Sequence, residues 1–164
     1  MGNAASGCDS DEMRGKAMAY KYESCGLDRV FLVNGYRLHT TPHGDAIAIE
    51  DVGGLHRTIA RAIVCDAAIL SGKELRFIRK HLDLSQKAFA SLIGAEEQQV
   101  FRWEKAGRKP IPGMADRLVR VAFAEVDRES GLNDWTLKQL AGLDAKAPSD
   151  IQFNVADGHW GIAA

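Results

Sequence analysis

Between residues 51 and 126 the apolar positions recur with a helical period, and on either side of that stretch they alternate. Leu55, Ile59 and Ile63 repeat every four residues behind Asp51, which is placed to cap them, and predict a helix ending near Ala67. Leu75, Ile78 and Leu82 recur at i, i+3 and i+7 and line one face of a second helix. Asp83 and Leu84 break that pattern. Ser85 then stands where a side-chain oxygen can accept from the free amides of a new first turn, and Phe89, Leu92 and Ile93 give this short third helix its buried side. Gly94 follows where a tight turn needs a residue tolerant of positive φ. Over residues 96–105 a further helix buries Val100 and Trp103, which turns Glu97, Gln98, Phe101 and Arg102 outward. After Pro110, Pro112 and Gly113, residues 114–128 place Leu118, Val121, Ala122 and Val126 on one face, with Phe123 nearby. That stripe serves either to close the core or to meet a two-fold partner.

The alternating stretches predict strands. Tyr20 and Tyr22, residues 30–33, Tyr36–Thr41 and residues 46–49 are short β-rich runs. Asn34-Gly35 lies between two of them and accepts the positive φ of a type I′ turn, so a hairpin is expected there, with a further turn at residues 42–44. Near the end of the chain Trp135, Leu137 and Leu140 have roughly helical spacing, and Ala147-Pro148-Ser149 is a break. Ile151, Phe153 and Val155 alternate, Asp157-Gly158 offers a turn, and Trp160 and Ile162 alternate again, which predicts a terminal hairpin able to extend the first sheet. Residues 1–16 are small and polar without periodicity and read as a disordered leader. Met1-Gly2 with Ser6 matches a myristoylation pattern that recurs by chance, and Met13 or Met18 is an alternative start. The fold class expected is α+β, mainly α. Residues 17–67 form a small hairpin sheet plus helix, residues 68–129 a five-helix domain, and residues 130–164 a tail of helix and hairpin.

A composition of 46% hydrophobic and 26% charged residues is that of a soluble globular chain, and no apolar run is long enough to span a bilayer, so a cytoplasmic protein is expected. The net charge of -1 argues against a broad nucleic-acid-binding surface, but its distribution is uneven. Residues 71–129 hold twelve Lys and Arg against nine Asp and Glu, whereas the remainder holds nine against thirteen. Lys105, Arg108 and Lys109 cluster just beyond the helix over residues 96–105, where backbone phosphates would flank a groove.

Six positions, Phe89, Ala90, Ile93, Gly94, Val100 and Trp103, agree with a helix-turn-helix, Ala90 being small where a steeply crossing helix needs close approach. With Leu84-Ser85-Gln86, and with Arg102-Trp103-Glu104 followed by Gly107-Arg108, residues 71–129 resemble the phage-repressor-like, or XRE, family of helix-turn-helix regulators. The resemblance implies that Arg79 pairs with Glu104 and braces the motif. It also implies that Gln86, with Lys87 beside it, meets phosphate, and that Glu97, Gln98 and Arg102, with Phe101 on the same face, meet base edges in the major groove. Where the family has Ser or Thr capping the reading helix, this chain has Glu96 followed by Glu97. Two carboxylates suit the positive end of the helix dipole but repel phosphate.

The layout, with Lys109-Pro110-Ile111-Pro112-Gly113 following the motif, also resembles two-domain antitoxins of the MqsA or YgiT type, whose N-terminal unit is a zinc ribbon. Only Cys25-Gly26 matches a knuckle of that ribbon. Cys8, Cys25 and Cys65 form no close pair, so no zinc or other cofactor is expected, although His39, His43 and His56 are the side chains that would complete a mixed site with Cys25. The cysteines are expected to stay reduced. A cysteine nucleophile, Cys25 or Cys65 with His56, is a permitted combination without a motif behind it, and an enzyme is not expected. The expectation is a homodimeric, DNA-binding transcriptional repressor reading a palindromic operator through residues 96–105. The alternative is an antitoxin that binds its toxin through the N-terminal unit and represses its own operon.

Overall fold

A three-residue strand, β2 (Val30–Leu32), is the centre of the sheet in the computed structural model, which describes residues 19–42, 44–127 and 147–163. Val30 and Leu32 are fully buried. On one side β2 pairs antiparallel with β1 (Tyr20–Lys21), and on the other it pairs parallel with β5 (Ile151–Ala156), 121 residues away at the Val30–Ile151 register. Strand β6 (His159–Ile162) pairs antiparallel with β5 through the Asp157-Gly158 turn, so the order is β1-β2-β5-β6. The terminal hairpin thus completes the first sheet, and its Phe153 is fully buried in the core.

The Asn34-Gly35 hairpin does not form. Both edges of β2 are occupied, so β3 (Tyr36–Thr41) pairs with β4 (Gly44–Ile49) in a separate two-stranded sheet. Asn34 is used as a backbone mimic instead: its side-chain amide donates to Val155 O and its Oδ1 accepts from Val155 N, carrying the β2–β5 ladder one step further. Gly35 keeps the positive φ, +75°, because a Cβ there would lie 2.6 Å from both Trp160 and Val155. Beyond Tyr36 and Ile49 the β3–β4 hairpin is largely exposed, with Leu38 61% exposed.

Helix α1 (Val52–Cys65) begins where Asp51 accepts from Gly54 N at 3.0 Å, and buries Leu55, Ile59 and Ile63 against β6 and α2. Four helices follow: α2 (Gly72–His81), α3 (Gln86–Ile93), α4 (Glu97–Lys105) and α5 (Gly113–Val126). Five helices were expected in residues 68–129, and the described ones number four, α1 being the fifth of the chain. The helix expected around Trp135, Leu137 and Leu140 falls outside the described residues, as do the leader and His43.

Helix α5 differs most from expectation. Of the expected stripe, Leu118, Val121 and Val126 are 43–46% exposed, and only Ala122 is buried. The inward face carries Ala115, Val119, Phe123 and two charges, Asp116 and Arg120, both at zero exposure. Those charges mask the buried face in any hydrophobic periodicity. Arg120 spends all five donors: Nε and Nη2 on Asp116, Nη1 on Val64 O and Asp66 O at 2.6 and 2.7 Å, and Nη2 also on Ala68 O at 2.6 Å. Asp116 accepts in addition from Leu70 N at 2.9 Å. The end of α1 and the linker to α2 are therefore fastened to α5 from inside. Leu92 is a smaller correction: it lies 45% exposed at the margin of the α3 stripe, which is centred on Phe89, Ala90 and Ile93.

A histidine seam joins α1, α2 and α5. Tyr22 Oη and His56 Nε2 share a hydrogen bond of 3.0 Å, His56 packs edge-on against Phe77, and His81 stacks on Phe123 with Nε2 3.8 Å from Asp127. Burial, the largest cause, lowers the pKa of both histidines. The two repel each other, Arg57 and Arg61 lower His81 further, and Asp127 acts in the opposite sense.

Two outcomes follow. Arg120→Ala leaves Asp116 as an unpaired buried charge and should lower the unfolding free energy in urea by about 3–5 kcal/mol, whereas the apolar double variant Asp116→Leu/Arg120→Met should lose less. A loss below about 1 kcal/mol in the single variant would mean that water or neighbours replace the guanidinium. For the histidines, a folded pKa below the unfolded value of about 6.5 means that stability is complete above that value and is lost as pH falls through it. The melting temperature should drop between about pH 7.5 and 5.5, and drop less in His81→Gln; a flat or rising profile would contradict the seam.

Candidate nucleic-acid interface

The α3–α4 pair is set by three local devices. Ser85 Oγ accepts from Ala88 N at 3.1 Å and starts α3. Gly94, at φ +68°, ends it, with its N–H turned back to the carbonyls of Ala90 and Ser91. At the start of α4 Gln99 Oε1 accepts from Glu96 N at 2.9 Å, so the side chain three residues on serves that amide and Glu96 occupies the cap position, as expected. Ala90 is 2% exposed where the two helices meet, and Val100 is fully buried. Trp103, expected to be buried, is half-buried at the margin of the core.

Glu104 is the node beneath this pair. Arg79 Nε and Nη2 donate to its two oxygens at 2.6 and 3.0 Å, while Arg79 Nη1 donates to Leu84 O at 2.8 Å. Gln86 Nε2 donates to the same carboxylate at 2.9 Å. One buried carboxylate thereby ties α2, the α2–α3 loop, the first turn of α3 and the last turn of α4. The side-chain amide of Gln86, expected at a phosphate, is directed inward to this node.

With Val100 and Glu104 inward, α4 exposes Glu97, Gln98, Phe101, Arg102 and Lys105. Phe101 is 50% exposed, and Lys105 Nζ lies 5.8 Å from its ring centroid, within cation–π range. Arg102 Nε makes a long contact of 3.3 Å with Gln98 O, leaving the planar fork at the surface. Lys87 is exposed on α3 and Lys109 beyond α4.

The loop after α4 is pinned to the start of α2. Gly72 N donates to Lys109 O at 3.1 Å, Lys73 N to Gly107 O at 2.9 Å and Ile111 N to Leu70 O at 2.9 Å. A Cβ on Gly72 would lie 2.0 Å from Trp103 O, so the close approach requires glycine. Arg108 does not stand free. Its Nε and Nη2 donate to both oxygens of Asp28, at 2.9 and 3.0 Å, and Lys73 Nζ donates to the same two at 2.8 and 2.9 Å. Sequence reasoning missed Asp28, Lys73 and Gly72. Spacings of 45 and 80 residues leave no local signal for an ion pair, and the glycine is explained only by a backbone 31 residues away.

The other candidate chemistry is dispersed. Cys25 Sγ donates to Tyr22 O at 3.0 Å, while His56 is engaged with Tyr22 Oη. Burial pushes the Cys25 and Cys65 thiols up, the direction opposite to an activated thiolate. Among the described residues no cluster of three or more His, Cys, Asp or Glu is placed to hold a metal ion, and no helix is long and apolar enough to cross a membrane. No family model, curated protein or solved structure matches this chain.

Proposed function

We propose that the chain is a sequence-specific, double-stranded-DNA-binding transcriptional regulator of XRE type, a homodimeric repressor that inserts α4 into the major groove. The observation that carries the reading is the outward face of α4. A base-reading set, Glu97, Gln98, Phe101 and Arg102, stands exposed on a helix whose opposite side is anchored by Val100 and by the Arg79–Glu104 pair. Arg102 offers a bidentate fork suited to guanine O6 and N7, and Glu97 an acceptor suited to a cytosine amine. Lys87, Lys105 and Lys109 supply exposed positive charge around that face for backbone phosphates. The exposed apolar stripe of α5, with Met114 71% and Leu118 and Val121 43–46% exposed, supports a two-fold partner, which would present two reading helices to two half-sites.

A second reading, an antitoxin, draws on the β3–β4 hairpin. Among the described residues both its outer strand edges are unpaired, and Leu38 is exposed, a surface suited to strand addition by a partner protein. A binary complex with the product of the neighbouring gene, lost on Leu38→Asp, would favour it.

The chain should bind its own upstream DNA with an affinity that falls steeply between about 50 and 200 mM salt; no binding at low salt would remove the reading. Arg102→Ala should cost about 1–3 kcal/mol on the operator and relax preference at one base pair, with a smaller effect on random DNA. Lys109→Ala should weaken both DNAs alike and lower the salt slope by about one. Equal weakening of operator and random DNA by Arg102→Ala would make Arg102 a phosphate contact and shift base reading to Glu97 and Gln98.

A further inference from the structure

We propose that Lys73 and Arg108 form a phosphate-binding pair for the nucleic-acid backbone, and that Asp28 of the N-terminal unit occupies this pair until a phosphate displaces it. The proposal rests on the DNA-binding reading above and adds to it a contact, Lys73, and an internal competitor, Asp28.

The arrangement has the form of an anion site. The Arg108 fork and the Lys73 ammonium converge on one carboxylate, each reaching both oxygens within 2.8–3.0 Å. Two cations share one carboxylate, and a phosphate, with more acceptor oxygens, would satisfy the same donors. The pair does not depend on Asp28 for its position. The two chain segments are joined backbone to backbone, Lys73 N to Gly107 O and Gly72 N to Lys109 O, so removal of the carboxylate leaves the cations side by side.

Exchange is accessible. The side chains of Arg108, Lys73 and Asp28 are 77%, 37% and 34% exposed, a setting in which an ion pair contributes little and is readily replaced. All three line a cavity of about 580 Å³ between the N-terminal unit and the α2 start, which leaves room for an incoming anion. Asp28 itself is well aimed: its neighbours Leu27 and Arg29 are held, Leu27 at 4% exposure in the core and Arg29 by Glu74 and Asp66. Arg108 first and Lys73 second hold its carboxyl down to about 2. The carboxylate is therefore charged at any pH used for binding, and a competing anion rather than a proton opens the contact.

The test is fluorescence anisotropy with a short random-sequence duplex over a salt series, using the full chain. Asp28→Asn should tighten binding about 3- to 10-fold near 50 mM salt and steepen the salt slope by about one, and Asp28→Ser should do the same. Asp157→Asn, at the tip of the β5–β6 turn, removes an equal charge elsewhere and should change affinity by less than about twofold. In a Lys73→Gln/Arg108→Gln background, binding should be weaker and Asp28→Asn should be silent. The proposal is overturned if Asp28→Asn gains no more than Asp157→Asn, or if its gain survives in the double-glutamine background. Failure of every form, wild type included, to bind duplex at low salt would remove the DNA-binding reading itself. Normal binding with a silent Asp28 would sink this proposal alone.

Discussion

The attachment of α5 to the end of α1 and to the linker before α2 depends on one buried guanidinium. Arg120 has zero exposure, and an isolated buried cation would cost several kcal/mol or more, so it can persist only if every donor is met. Its acceptors define what it joins: the carbonyls of Val64, Asp66 and Ala68 come from the last turn of α1 and the linker, and Asp116 from the helix that carries Arg120. The end of α1 has no basic residue in its last turn and a Cys65-Asp66-Ala67-Ala68 exit without glycine, so its carbonyls need a donor from outside. Arg120 is that donor. An apolar side chain could fill the volume but could not satisfy the carbonyls, which is the physical reason for placing a charge in this core.

A second arginine does for the sheet what Arg120 does for the helices. Arg29, one residue before β2, reaches Glu74 at the start of α2, Asp66 at the end of α1 and Ser149 O just before β5. Glu74 is already half of the α2 capping box, accepting from Ser71 N at 2.8 Å. The N-terminal unit, the start of the α2–α5 helices and the returning tail therefore meet at the Arg29 guanidinium. This joint explains why a strand from the end of the chain can pair parallel with β2: its entry point is held beside Arg29, and Ile151 N donates to Arg29 O at 2.8 Å.

Those two joints also mark the limit of what the sequence could disclose. The helices α1 to α4 were legible because each announces itself locally, through caps such as Asp51 and Ser85, the Gly94 stop, and apolar spacings of which Leu55, Ile59, Leu75, Ile78 and Phe89 are buried, while Leu82 and Trp103 are half-buried and Leu92 is exposed. The outward face of α4 followed from the same periodicity. Where the determining contact is distant, local signals misled. Asn34-Gly35 carries the strongest hairpin signature in the chain, yet whether a turn makes a hairpin depends on a free edge, and β5 arrives from 121 residues away to take it. The inward face of α5 was obscured because its most buried members include Asp116 and Arg120, while Leu118, Val121 and Val126, expected either to close the core or to meet a partner, turn outward.

Charge was legible only as a total. Residues 71–129 carry an excess of cations, but a cation contributes to an external field only to the extent that it is not already compensated nearby. Arg120 is spent on Asp116 and carbonyls, Arg79 on Glu104, and Lys73 and Arg108 on Asp28. Among the described residues at least four of the twelve cations counted there are thus tied internally, two of them to a carboxylate from outside the counted stretch. Glu96 and Glu97 add negative charge at the N-terminal end of α4. On the DNA-binding reading, the phosphate attraction of one chain is then smaller than its composition suggests. Discrimination must come to a larger degree from base contacts along α4 and from pairing two modules, and less from the sequence-independent attraction that makes a strongly basic domain bind any duplex.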